Sequence, residues 1–140
     1  MSRKGPIIIA EDDVDDRDVL REVFKSLSIT NELKFFDNGQ QVLDYLLTTR
    51  DSPFIIISDV NLPLMSGTRL RQAINDNEKL RRKSIPFIFL TTNVEDDAVV
   101  KAYEMMVQGY FVKENNIDRI REVIGLIMHY WKVCRHPNSQ

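Results

Sequence analysis

The chain has 140 residues, which suits one domain with its own core and leaves little room for two. Its 43% hydrophobic content is that of an ordinary globular protein, and a formal net charge of -2 gives no global pull toward nucleic acid. The single cysteine, Cys134, excludes an internal disulfide and fits a reducing compartment.

The N-terminus, Met1-Ser2-Arg3-Lys4-Gly5, is basic, but the apolar run behind it stops at Ala10. That is too short for a signal peptide, and no stretch approaches the ~20 apolar residues of a membrane span. A cytoplasmic protein with no membrane or nucleic-acid partner is expected. The first strand is Ile7 to Ala10, and Glu11, Asp12 and Asp13 follow it. Leu20, Val23, Phe24 and Leu27 then recur at helical spacing. A second strand, Leu33 to Phe36, precedes a helical stripe of Val42, Leu43, Leu46 and Leu47. The third apolar run, Phe54 to Ile57, ends on Ser58 and the bare carboxylate of Asp59. A short stripe of Leu70, Ala73 and Ile74 leads into Asn75 to Ser84, a charged stretch read as a surface connection, with Arg81, Arg82 and Lys83 in a solvated loop. The fourth strand, Phe87 to Leu90, gives way to Thr91 and Thr92. Val99, Val100, Tyr103 and Met106 form the next stripe. The fifth strand, Tyr110 to Val112, runs into Lys113. The last stripe is the longest: Ile117, Ile120, Ile124, Ile127, Trp131 and Cys134.

Most of the apolar runs are continuous rather than alternating, which favours strands covered on both faces. A βα unit repeated five times predicts a parallel sheet with helices on both sides, and five units do not close a barrel. The expected architecture is an open, doubly wound α/β domain over residues 1–140, with its core at about 5–134 and a polar tail at 135–140. His136 falls in that tail and is expected to fray.

Ligands of such sheets bind beyond the carboxyl ends of the strands. Glu11, Asp12, Asp13, Asp59, Thr91, Thr92 and Lys113 all follow strands and should emerge at that one edge. Each alone has an ordinary reading: an N-cap or first-turn acid, a turn cap, a surface lysine. Together they place crowded carboxylates beside a hydroxyl and an ammonium. Crowded carboxylates raise one another's pKa, and a hard cation relieves them. Mg²⁺ suits such a set, taking a few carboxylates plus water and phosphate. A carboxylate beside it can attack phosphorus to form an acyl phosphate, and Asp59, alone on the central strand, is the expected nucleophile.

The stretches IIIAEDDVDD (7–16), IIISDVNLPLMSG (55–67), IPFIFLTT (85–92) and GYFVK (109–113) resemble the receiver domains of two-component response regulators. The resemblance runs over nearly the whole chain. It implies a flavodoxin-like (βα)5 fold with strand order 2-1-3-4-5. It implies that Asp59 accepts a phosphoryl group from a sensor histidine kinase or a phosphotransfer protein. Glu11, Asp12, Asp59 and the Asn61 carbonyl would hold Mg²⁺, with Asp12 a direct ligand and Asp13 not one. Lys113, Thr91 and the Thr92 N–H would stabilise the phosphoryl group. Thr91 and Tyr110 would act as the switch pair, and the output would leave through the fourth helix, fifth strand and fifth helix. Pro63 and Gly67 would shape the loop after the nucleophile. The protein would be a switch rather than an enzyme acting on other substrates.

Three features depart from the family or add to it. Glu114 stands where proline usually follows the lysine. Asn61 and Asn93 occupy positions that tune phosphoryl lifetime. With only a short tail after the last helix, no DNA-binding domain is expected, and the resemblance is to stand-alone receivers such as those that pair with bacterial phytochromes. The last helix also carries a second apolar row, Val123, Leu126, Tyr130 and Val133, expected to face a partner or a second copy, with Gly125 allowing close approach. His129 is read as a surface or interface imidazole. Two rival readings are a receiver-fold binding module that is not phosphorylated and a haloacid-dehalogenase-like phosphatase. Against the latter, Asn61 stands where such enzymes carry a second acid.

Overall fold

The computed structural model describes residues 4–137. Five strands form one parallel sheet: β1 (Ile7–Ala10), β2 (Leu33–Phe36), β3 (Ile55–Ser58), β4 (Phe87–Thr91) and β5 (Gly109–Val112), in the order β2-β1-β3-β4-β5. Six helices connect and flank them: α1 (Val14–Ser26), α2 (Gly39–Thr48), α3 (Gly67–Asp76), α4 (Glu78–Lys83), α5 (Asp96–Glu104) and α6 (Ile117–Val133). The expected doubly wound sheet and its strand order are those observed.

The β-branched and aromatic runs explain the sheet. Every residue of β1, β3 and β4 is buried, because helices cover both faces. One face packs Ile7, Ile9, Ile55, Ile57, Ile88 and Leu90 against α1 and α6. The other packs Ile8, Ile56, Phe87 and Phe89 against α2, α3 and α4, with Ala102 from α5. The helix starts carry side-chain caps where the sequence supplies short polar residues: Asp13 for α1, Asn38 for α2, Ser66 for α3, Asn77 for α4 and Asn116 for α6.

Three expectations need correction. Asn75 to Ser84 is not a loop: Asn77 ends α3 and caps α4, whose Leu80 is buried and whose end turns on Ser84 at φ 50°. The α5 stripe does not face the core. Ala102 is the helix's one buried residue, while Val100, Tyr103 and Met106 are exposed. His136 does not fray. It is buried, its Nε2 lies 2.7 Å from the Phe54 carbonyl oxygen, and its ring stacks on Phe54 at 5.2 Å. Within the chain, a Cβ on Gly125 would find its nearest neighbour, Leu27 Cδ2, at 4.0 Å, so the glycine serves no close contact with another element of the fold. No helix among the described residues is long and apolar enough to cross a membrane.

Candidate functional site

The register of the sheet builds the site. Ala10 pairs with Ser58, and Ser58 with Phe89, so Glu11 and Asp59 leave their strands side by side. The Asp59 N–H donates to the Ala10 carbonyl at 3.0 Å, fixing the backbone at that step. Strand β4 runs two residues past its pairing with Ser58, and this carries Thr91 over Asp59. Thr91 pairs with Val112, so Lys113 is the next residue out of β5.

Asp59 is held by three kinds of donor. The fully buried Thr91 hydroxyl donates to its Oδ1 at 2.7 Å, and the Asn61 N–H donates to the same oxygen at 3.1 Å. The Lys113 ammonium donates to Oδ2 at 3.3 Å. Lys113 also pairs closely with Glu11 Oε1 and reaches Asp16 Oδ2 at 3.1 Å. The other Glu11 oxygen accepts the Asp13 N–H at 3.1 Å.

The electrostatics follow from burial. Burial pushes the Glu11 carboxyl above its ordinary value, and the Lys113 hydrogen bond and charge only partly offset this. Burial alone would lower Lys113, but its hydrogen bond to Glu11 and the charges of Glu11 and Asp59 outweigh that and hold its pKa above the usual lysine value. The ammonium is therefore a fixed charge at the base of the site.

The loop after Asp59 has almost no slack. A Cβ on Gly67 would lie 2.0 Å from the Asp59 carbonyl oxygen and 2.9 Å from Ser58 Oγ, so only glycine lets α3 begin this close to Asp59. The Gly67 N–H donates to the Val60 carbonyl at 2.9 Å and closes the loop. Tyr110 is half-buried beside the site. Its ring lies 5.9 Å from that of Phe89, and its hydroxyl donates to the Asn93 carbonyl at 2.5 Å. Burial and the nearby Asp59 and Glu95 charges raise its pKa. Glu114 ion-pairs with Arg119 at 2.8 Å, and no cis peptide bond occurs among the described residues.

The structure thus brings Glu11, Asp59, Asn61, Thr91 and Lys113 together, with Tyr110 one layer behind. Asp12 and Thr92 are at the same edge but exposed. Asp13 is the α1 cap, accepting the Asp16 N–H at 3.0 Å. Two participants escaped the sequence reading. Asp16 reaches Lys113 from the first turn of α1, and Arg17 donates from Nε to the Glu11 carbonyl at 2.6 Å while pairing with Asp37. The available signal was position, because a helix starting directly after β1 aims its first turn at the same edge. On α6, Leu126, Tyr130 and Val133 are exposed as expected of a partner row, whereas Val123 is half-buried against the core. His129 is exposed, as read.

Among the described residues no three His, Cys, Asp or Glu side chains form a ready metal cluster. The donor types nevertheless fit Mg²⁺, which binds oxygen and makes up its coordination from few protein ligands and several waters. Glu11, Asp12, Asp59 and the Asn61 carbonyl supply only oxygen.

The chain is 29% identical to the response regulator Rcp1 of Synechocystis sp. over 130 residues, 89% of this chain and 87% of Rcp1. Its fold matches the Mn(2+)-bound form of Rcp1 with a TM-score of 0.82 at 27% identity, covering 95% of this chain and 99% of Rcp1. It matches response regulator RPA3017, in red light signaling of R. palustris, with a TM-score of 0.85 at 28% identity, covering 96% and 99%. The phosphorylated cyanobacterial phytochrome response regulator RcpA gives 0.85 at 23% identity, covering 96% and 99%, and shares the fold. The response regulator receiver domain family accounts for residues 7–125, all five strands and every residue placed around Asp59, and the chain belongs to that family.

Proposed function

We propose that this chain is a cytoplasmic phosphorylation switch whose phosphoacceptor is Asp59 and whose donor is a sensor histidine kinase or a phosphotransfer protein. One observation carries the reading: Asp59 is a single carboxylate at the end of the central strand, held by a buried hydroxyl, a backbone N–H and a buried ammonium. Those donors hold the nucleophile in place, and they are also what a phosphoryl group on it would need.

In the transfer, an Asp59 oxygen attacks the phosphorus of a phosphohistidine. The P–N bond breaks, its electron pair stays on the imidazole nitrogen, and an acyl phosphate forms on Asp59. Mg²⁺, held by Glu11, Asp12, Asp59 and the Asn61 carbonyl, would neutralise charge on the transferring oxygens. Lys113, the Thr91 hydroxyl and the Thr92 N–H would bind the phosphoryl oxygens. The group adds roughly -1.5 to -2 charge beside Asp59. Thr91 turning toward it would break its present bond to Asp59, and the loop carrying Asn93 would follow. Tyr110, whose hydroxyl is tied to the Asn93 carbonyl, would then change place. The state would be read on the face made by α5, β5 and α6. The exposed row Leu126, Tyr130 and Val133, with Val123 at its edge, would seat a partner or a second copy.

The test is intact-mass spectrometry after incubation with acetyl phosphate and Mg²⁺. One phosphoryl group should appear on the wild-type chain, and none without Mg²⁺ or in Asp59→Asn. A phosphoryl group retained by Asp59→Asn would displace Asp59 from this role. Uptake absent even from a phosphorylated kinase would favour the binding-module reading.

A further inference from the structure

The Lys113 ammonium has three protons to donate, and three carboxylates take them: Glu11, Asp16 and Asp59. Its side chain is 8% exposed. For Lys113 to donate to a phosphoryl oxygen, one of these contacts must be given up. Glu11 is buried and closest, and releasing it would leave a carboxylate stranded away from water. Asp59 bears the incoming group. Asp16 alone has a side chain exposed enough, at 42%, to return to water at little cost. Its carboxylate is not the α1 cap, a role that Asp13 fills by accepting the Asp16 N–H.

Resting on the reading of Asp59 as the phosphoacceptor, we propose that Asp16 is a positioning residue that holds Lys113 in the unphosphorylated protein and acts as a brake on the switch. It competes with the phosphoryl group for the ammonium. Removing it slows loss of the acyl phosphate, because Lys113 then stays on the phosphoryl oxygens. It also speeds uptake, because a donor is free and one negative charge facing an anionic phosphodonor is gone. Asp16→Ala should change each rate about two- to fivefold, the size expected for a half-exposed ion pair. Asp16→Glu, which keeps the charge on a longer arm, should return the rates toward wild type. Asp16→Asn should behave nearer to alanine.

The experiment has two arms. The first measures labelling of the Lys113 amine by an acylating reagent, followed by peptide mass spectrometry, without any phosphodonor. Lys113 should label faster in Asp16→Ala than in wild type, while Lys101, exposed on α5, labels equally in both. Equal labelling of Lys113 would overturn the holding contact. The second arm follows acetyl-phosphate uptake and acyl-phosphate loss at saturating Mg²⁺. Faster uptake with slower loss supports the brake. Wild-type rates in an Asp16→Ala chain that takes up phosphoryl overturn the brake and leave the Asp59 reading standing. A wild-type chain that takes up no phosphoryl from acetyl phosphate or from a phosphorylated kinase overturns the Asp59 reading and the brake with it, while the labelling arm still decides whether Asp16 holds Lys113. A merely structural Asp16 would lower thermal stability without moving uptake and loss in opposite directions.

Discussion

Two glycines show how differently one methyl group weighs at different residues. At Gly67 the added Cβ would sit 2.0 Å from the Asp59 carbonyl oxygen, a backbone atom that cannot step aside. Gly67→Ala should destabilise the protein by about 1–3 kcal/mol, the range for overpacking, and disturb the loop after Asp59. At Gly125, inside α6, the same methyl would meet only Leu27 at 4.0 Å. Gly125→Ala should stabilise by about 0.5–1 kcal/mol through helix propensity. Urea denaturation of the pair decides the matter, and equal signs for the two variants would show that these local distances do not govern stability. The same contrast marks what a sequence reveals at this scale. Glu11, Asp59, Thr91 and Lys113 are legible because each ends a strand, and a parallel sheet gathers strand ends. Asp16 is not, because its role depends on which way the first turn of α1 faces.

Among the elements, α5 is the most lightly held. Its N-cap, Glu95, makes no side-chain capping bond, and Ala102 is its one buried residue. Its far end is held from α3 instead. Arg71 is buried and donates from Nε to the Met105 carbonyl at 3.0 Å and from Nη2 to the Met106 carbonyl at 2.8 Å. Its guanidinium lies over the Phe87 ring at 5.3 Å, and burial lowers its pKa. Asn75 adds a bond to the Met105 carbonyl at 2.9 Å. The orphan carbonyls at a helix C-terminus carry partial negative charge, so a buried cation is at home there. Arg71→Ala should cost about 2–3 kcal/mol, as for hydrogen bonds from a charged donor, and speed amide hydrogen exchange in α5 more than in α1 or α6. Arg71→Lys should recover little, since an ammonium lacks the planar fork. Unchanged exchange in α5 would show that Arg71 is not what anchors it. Helix α4 was hidden in the sequence for a related reason. A six-residue helix with one buried leucine has no periodicity to display, and its charges read as loop. The α5 stripe failed in the opposite way: helical spacing was present, but the apolar side turned outward and left small Ala102 against the sheet.

At the scale of the molecule, the two ends of the sheet have different tasks. The carboxyl end carries the charged site, while the other is closed by His136 stacked on Phe54. Helix α6 spans the distance between them, from the Lys113 loop to that closure. Its inner row of Ile120, Ile124, Ile127 and Met128 is buried, while Leu126, Tyr130 and Val133 are 62%, 62% and 69% exposed. Beside them, Phe111 of edge strand β5 and Trp131 line an apolar hollow of 650 Å³ that also takes in Leu126, Tyr130 and Val133. Apolar surface gathered in this way is a mark of an interaction site, and strand edges and helix faces together can bury enough area for a dimer. If a second copy covers it, Leu126→Glu with Tyr130→Glu should convert a dimer to a monomer in sedimentation velocity. Exposed positions carry little folding energy, so the stability of the monomer should move by less than about 0.5 kcal/mol. Because Lys113 directly follows β5, adding beryllofluoride and Mg²⁺ should strengthen the wild-type dimer and leave the double variant monomeric. A wild-type chain that stays monomeric with and without beryllofluoride would remove the second copy as occupant and leave the row to a different protein. That outcome would separate the two uses of α6, since the buried row holds the fold in either case and only the exposed row depends on company.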